Sequence, residues 1–364
     1  MFNQKATSAH TDDRLIGEVV AGRFRILSRH HAGARSRIYE VEPPSVGHAR
    51  RALKVLCAPE AREPAVFDRL STLAEVARGL RHPHVEEIHG SGRMPDDTPY
   101  VLSEWLPLPT LSTWLDAERS IDPVRTLQII RAVASGLGAL HGRGLVHGDV
   151  RPEHILVEPG IGRFERVVLI DAGLDVALDT PPARNLTGTL AHRAPERLRG
   201  GSATPAADLY SLGVLAWRLL AGRLPFTADD LRAANAGADP ALRLRWLHQN
   251  VRPRRPSELP GVEADARIEA IVGRALAKRP SSRPRDGDAF LDLLDDALAV
   301  PTAPPPGRWF AEAPAEASDP HFPTLNPSAV MPPAPTTVPP VGWTPWAGAG
   351  FTCGILGALL GHFI

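Results

Sequence analysis

The apolar residues of this chain change their period partway along, and that change restricts the fold more than any other feature. Residues 23–28, 36–42 and 51–57 are short, partly alternating runs between His-, Gly- and Pro-rich turns, the pattern of strands. Residues 66–80 then take helical spacing through Phe67, Leu70, Leu73, Val76 and Leu80, and two more short strands are predicted at 85–89 and 100–105. After that the pattern is mainly helical. Leu127, Ile130, Val133, Leu137 and Leu140 share one face, and Phe290, Leu291, Leu294 and Leu298 make a last amphipathic helix. Residues 208–220 are apolar almost all round, so that helix must be buried on every side. Strands first and helices after predict an α+β fold in two lobes, a small β-rich one and a larger helical one.

Proline sets the outer boundary. Thirteen prolines stand from Pro301 to Pro340, and each removes a donor and fixes φ, so residues 300–342 read as an extended linker. Residues 1–20 are polar and mixed in charge, without the apolar core of a signal peptide, and read as a mobile arm. The folded domain is predicted over 21–299, with its small lobe at about 21–106 and its large lobe at about 107–299. Forty-one basic residues balance forty-one acidic ones, which gives no whole-protein attraction to nucleic acid or anionic lipid. Cys57 and Cys353 form no metal or disulfide pattern, as expected of a chain whose bulk is cytoplasmic. Lysine is scarce: only Lys5, Lys54 and Lys278 among the 41 basic residues, the rest being arginine.

Two runs carry the chemistry. One is His147-Gly148-Asp149-Val150-Arg151-Pro152-Glu153-His154, and the other, farther on, is Leu169-Ile170-Asp171-Ala172-Gly173. An aspartate at such a spacing is by itself most often a surface turn, but two such motifs in order favour function. Upstream, Arg51-Ala52-Leu53-Lys54-Val55-Leu56 places one of the rare lysines in a strand. An edge-strand cation would be arginine in this chain, so a compact point charge there suggests a chemical requirement. Downstream lie Gly188-Thr189, Ala194-Pro195-Glu196, the run Asp208-Leu209-Tyr210-Ser211-Leu212-Gly213, and Arg283 within Arg279-Pro280-Ser281-Ser282-Arg283-Pro284.

In this order, over about 280 residues, these motifs resemble the bacterial, eukaryotic-like (Hanks-type) Ser/Thr protein kinases. The resemblance implies a bilobal kinase fold that uses ATP and Mg²⁺. Phosphoryl transfer needs an acceptor group beside the attacking hydroxyl and a hard oxygen on the metal. By resemblance Asp149 takes the first role, Asp171 the second, and Arg151 is the catalytic-loop cation. Lys54 grips the phosphates, Gly33 belongs to the loop above them, and the backbone of Glu104 and Leu106 receives adenine. Glu196, Arg283 and Asp208 take structural roles: an ion pair between the first two, and an anchor for the catalytic-loop backbone. The segment Asp149-Val150-Arg151-Pro152-Glu153 is closer to the Ser/Thr than to the tyrosine branch.

The chain departs from the family pattern at five places. Only Gly33 of three expected glycines remains in His31-Ala32-Gly33-Ala34-Arg35-Ser36. Leu73 stands where a glutamate should face Lys54, and Glu75, two residues on, points elsewhere on a regular helix. Gly148 replaces the arginine that anchors a phosphorylated activation segment, and Arg151 replaces lysine. His154 replaces the asparagine that ligates magnesium, and imidazole suits that hard ion poorly; its expected role is a structural hydrogen bond to Asp149. These changes motivate an alternative, a pseudokinase that binds nucleotide or a partner without turnover. The aminoglycoside-type small-molecule kinases share the His-Gly-Asp triplet but lack the downstream motifs, and come a distant second as a family. The enzyme reading leads, because Lys54, Asp149 and Asp171 are all retained.

No charged residue follows Asp319, and residues 347–364 are long enough to cross a bilayer. With Trp343 and Trp346 at its entrance, the segment 343–364 is expected to be a membrane tail anchor. Gly350, Gly354, Gly357 and Gly361 share one helical face suited to a homodimer.

Overall fold

Six antiparallel strands make the small lobe: β1 (Val19–Val20), β2 (Phe24–Ala32), β3 (Ser36–Glu42), β4 (Arg51–Leu56), β5 (Ile88–Arg93) and β6 (Pro99–Glu104), in the spatial order β1-β2-β3-β4-β6-β5. The computed structural model describes residues 15–33, 35–43, 49–118, 121–178, 190–226 and 240–299. All of these belong to one compact unit; a second, Leu325–Ile364, lies wholly outside the described residues. The period of two in β4 sorts its side chains. Leu53 and Val55 enter a core with Ile26, Tyr39 and Val41, while Ala52 and Lys54 face the opposite way, into a cleft. Helix α1 (Pro64–Ala77) starts on a proline, suited to a first turn, and buries Val66, Leu70, Ala74 and Ala77 beneath the sheet.

The large lobe is built on α2 (Leu111–Glu118), α3 (Pro123–His141), α4 (Leu174–Ala177), α5 (Pro195–Leu198), α6 (Pro205–Ala221), α7 (Pro240–Asn250), α8 (Ala266–Ala275) and α9 (Gly287–Ala299). Asp122 and Thr204 cap α3 and α6 through their side-chain oxygens, each followed by proline at the first helical position. Helix α6 buries residues all round, from Ala207 to Leu219, and packs on α3 and α8. Each fully buried leucine there stabilises the fold by about 1.5–3 kcal/mol. A hairpin of β7 (Ile155–Pro159) and β8 (Phe164–Leu169) sits between the lobes' motifs. Its pairing of Ile155 with Leu169 sets His154 beside Ile170, whose N–H donates to the His154 carbonyl at 3.0 Å. One hairpin thus brings the Asp149 and Asp171 runs together.

Two expectations need correction. The strand predicted at 85–89 begins only at Ile88; Val85 makes single bridges to His82 and Leu169 instead, so 84–86 is a strap onto β8. Residues 15–20, read as part of a mobile arm, fold onto the sheet: Val20 is buried and pairs with Phe24. The rest of that arm, the linker at 300–342, the Gly350/Gly354/Gly357/Gly361 face and the tail 343–364 lie outside the described residues. Among the described residues no helix is long and apolar enough to cross a membrane.

Candidate active site

The catalytic-loop backbone is held from below by a buried carboxylate. Asp208, near the start of α6, accepts the N–H of His147 at 2.7 Å and of Gly148 at 2.8 Å, and meets His141 Nε2 at 3.1 Å. Gly148 has φ +83°, a conformation that L side chains rarely adopt, and a Cβ there would lie 2.5 Å from Val176 Cγ2. Glycine at this position is therefore what allows α4 to pack against the loop. His147 is fully buried and contacts the Ile170 carbonyl through Nε2 at 3.1 Å, and burial lowers its pKa, so it holds shape as a neutral ring.

From this frame the chemistry-bearing side chains reach a cleft of about 560 Å³ between the lobes, a volume suited to a nucleotide-sized ligand. Lys54 from β4 forms an ion pair with Asp171, 117 residues farther on. Asp171 has φ +65°, which aspartate tolerates better than most residues, and this turn follows the end of β8. Burial pushes its carboxyl up, but the charges of Lys54 and His154 and the Lys54 hydrogen bond outweigh that and hold it below its ordinary value. His154 lies between the two aspartates. Its Nδ1 donates to the Asp149 carbonyl at 2.9 Å and is 3.3 Å from Asp149 Oδ2, while Nε2 is 3.7 Å from Asp171 Oδ2. Arg151 lines the same cleft and pairs with Glu153 at 2.8 Å.

At the cleft's far wall, Glu104 is committed to the protein. Its N–H donates to the Glu87 carbonyl at 2.9 Å, and its carboxylate accepts the Glu87 N–H at 3.0 Å and pairs with Arg166 at 3.2 Å. Leu106 lines the cleft beside it, with its carbonyl accepting the Leu108 N–H at 2.8 Å. Gly33 closes the β2–β3 hairpin by donating to the Ser36 carbonyl at 2.9 Å, and a Cβ there would meet His31 Nε2 at 2.9 Å. Glu196 and Arg283 meet as a two-pronged pair at 2.6 and 2.8 Å in the large lobe, away from the cleft. The Gly188-Thr189 pair lies outside the described residues.

The structure also accounts for Leu73. Its side chain fills the space above Gly173, where a Cβ would lie 2.4 Å from Leu73 Cδ1, while Glu75 is turned to solvent beside Arg78. The residue missed from the sequence is Glu86. It lines the cleft, and its Oε2 accepts the Asp171 N–H at 3.1 Å. Burial, and then the charge of Asp171, raise its pKa to about 7. The missing acid at Leu73 is the one sequence signal that points to a carboxylate supplied from elsewhere.

The comparisons agree with this architecture. A family model described as "Protein kinase domain" matches residues 46–294. The serine/threonine-protein kinase Pkn1 of Myxococcus xanthus is 31% identical over 298 residues, covering 81% of this chain and 41% of that protein. The serine/threonine-protein kinase PknJ of Mycobacterium tuberculosis is 33% identical over 300 residues, covering 80% and 49%. The chain thus spans about half the length of these curated relatives or less. Among solved structures, the Mycobacterium tuberculosis PknI kinase domain superposes with a TM-score of 0.58 at 25% identity, covering 77% of this chain and 98% of that one. With its two lobes, its cleft and a family match over most of its length, the chain belongs to the protein kinase family.

Proposed function

We propose that the chain is an ATP-dependent protein serine/threonine kinase. The observation that carries this reading is the Lys54–Asp171 pair, a cation and a carboxylate remote in sequence that converge in the interlobe cleft. Lys54 is suited to the nucleotide's phosphates as a compact, strongly hydrated charge. Asp149, on a loop fixed by Asp208, is suited to accept the proton of a serine or threonine hydroxyl and to aim it at the phosphorus. The backbone at Glu104 and Leu106 is the proposed adenine edge, and Arg151 the cation nearest the transferred group.

A magnesium ion bound with phosphates takes one or two carboxylates from the protein. Asp171 fits that need as an ionised hard-oxygen ligand at the cleft wall. His154 does not fit a second magnesium, because it presents nitrogen and its Nδ1 is spent on Asp149. Magnesium neutralises phosphate charge when bound; the residues of this chain align the two reactants. The test is transfer of labelled phosphate from ATP to generic protein acceptors, wild type against Asp149→Asn. Loss of the carboxylate is expected to cost about 10²–10⁴-fold in rate. Equal incorporation by the two proteins would refute the reading and return the pseudokinase alternative.

A further inference from the structure

Protein kinases hold their phosphate-binding lysine with a glutamate from the helix under the sheet, and this chain has Leu73 there, packed on Gly173. Lys54 therefore relies on Asp171 for its ion pair. If Asp171 holds a divalent ion shared with phosphate, a second carboxylate would keep Lys54 oriented.

Glu86 meets the requirement. Its side chain lines the cleft together with Lys54 and Ser103, and its Oε2 accepts the Asp171 N–H at 3.1 Å; the charge of Lys54 draws its pKa down against the rise that burial causes. Its backbone is tied to β8, the strand that leads into the Asp171 turn. Leu169 N–H donates to the His84 carbonyl, and Glu86 N–H donates to the Leu169 carbonyl, each at 2.9 Å. We propose that Glu86 is a relocated acidic partner of Lys54, a positioning residue carried on the strap that pairs with β8 rather than on helix α1. This deepens the kinase reading and rests on it. It has a regulatory consequence: the lysine–acid pair forms without a movement of α1, so swinging that helix does not switch the pair on or off.

The experiment uses the full chain as wild type, Glu86→Gln, Leu73→Glu and the double variant, each first checked for a cooperative melt. Two readouts are taken: the dissociation constant for ATP with and without magnesium, and kcat and KM for phosphotransfer. Glu86→Gln should weaken Mg-ATP binding and kcat/KM by about tenfold to a hundredfold, the loss of one hydrogen bond to a charged group. Adding Leu73→Glu to it should recover most of that loss, because a carboxylate is then restored from the helix side. A merely structural role for Glu86 would not be rescued from α1. Binding and turnover of Glu86→Gln within twofold of wild type would overturn the proposal, as would a loss that Leu73→Glu leaves unchanged. If wild type transfers phosphate and Glu86→Gln matches it, only the Glu86 assignment fails. If wild type transfers none, the kinase reading fails, and Glu86 is judged on nucleotide binding alone; absence of binding as well would overturn both.

Discussion

Lys54 and Lys278 are two rare lysines in an arginine-rich chain, and the structure gives them opposite surroundings. Lys54 stands at the wall of an open cleft, paired with Asp171 and within the field of Glu86. Lys278 is half-buried in the large lobe. It donates to the His248 carbonyl at 2.7 Å and to Tyr210 Oη at 3.4 Å, and lies over the Tyr210 and Phe226 rings at 5.6 and 5.3 Å. No carboxylate among the described residues pairs with it, and burial, then the charge of Arg283, pushes its pKa well below the usual lysine value. One lysine thus sits among acids that can exchange partners, the other among neutral acceptors that cannot. Charge placed for chemistry keeps alternatives within reach, whereas charge placed for shape is fully committed.

The strongest test of that contrast is at Arg283, a fully committed cation of the large lobe. Its side chain is wholly buried, grips Glu196 with both prongs, and donates to the carbonyls of Ala277, Ala206 and Lys278. Arg283→Ala strands Glu196 and three carbonyls, and is expected to cost about 3–5 kcal/mol, seen as a large fall in the urea midpoint. Arg283→Lys should fare little better, since an ammonium cannot reproduce the planar fork. A change under 1 kcal/mol would show that the pair does not hold the lobe, and would remove half of the comparison.

These committed groups were the easiest to read from the sequence. Asp208, Glu196 and Arg283 sit in runs whose spacing is fixed by the backbone they brace, so the resemblance carried them over intact. The long helices were legible for a similar reason, because their apolar spacing is sustained over several turns. Glu86 was not legible. It falls within the run predicted as a strand at 85–89, and the strap of His84–Glu86 onto β8 sets its place at the cleft. The rarity of lysine was a sound clue at Lys54 but not a specific one. Lys278 shows that a lysine also stands where its ammonium meets aromatic rings and a carbonyl instead of a carboxylate.

Gly148 joins the two regimes, since its N–H belongs to the Asp208 anchor while the next residue is Asp149. Gly148→Arg would restore the family's usual residue. It must adopt φ +83° and displace Val176, so it is expected to cost about 1–3 kcal/mol and to disturb α4. Thermal unfolding checks the first effect, and proteolytic nicking near α4 the second. An unchanged melting temperature would mean that α4 gives way freely and that the catalytic loop is less tightly framed than the Asp208 contacts indicate.

The smallest expected effect separates the two lysines by pH. Because the folded-state pKa of Lys278 is depressed, the unfolded chain binds more protons between that lowered value and the ordinary lysine value of about 10.4, so wild-type stability should gain with rising pH across the window. Lys278→Met removes the buried ammonium, and with it this one contribution, while the other titrating groups remain common to both proteins. At pH 7 the variant should lie within about 1 kcal/mol of wild type or above it, since an apolar side chain of similar length avoids the cost of burying a charge. Between pH 7 and 9.5 the difference should then move in favour of wild type, and phosphotransfer should be unchanged throughout. Lys54→Met, by contrast, should abolish transfer at every pH. If the two variants lost activity alike, the division between exchangeable and committed charge would fail, because a lysine with no carboxylate partner would prove as necessary to the chemistry as the one in the cleft.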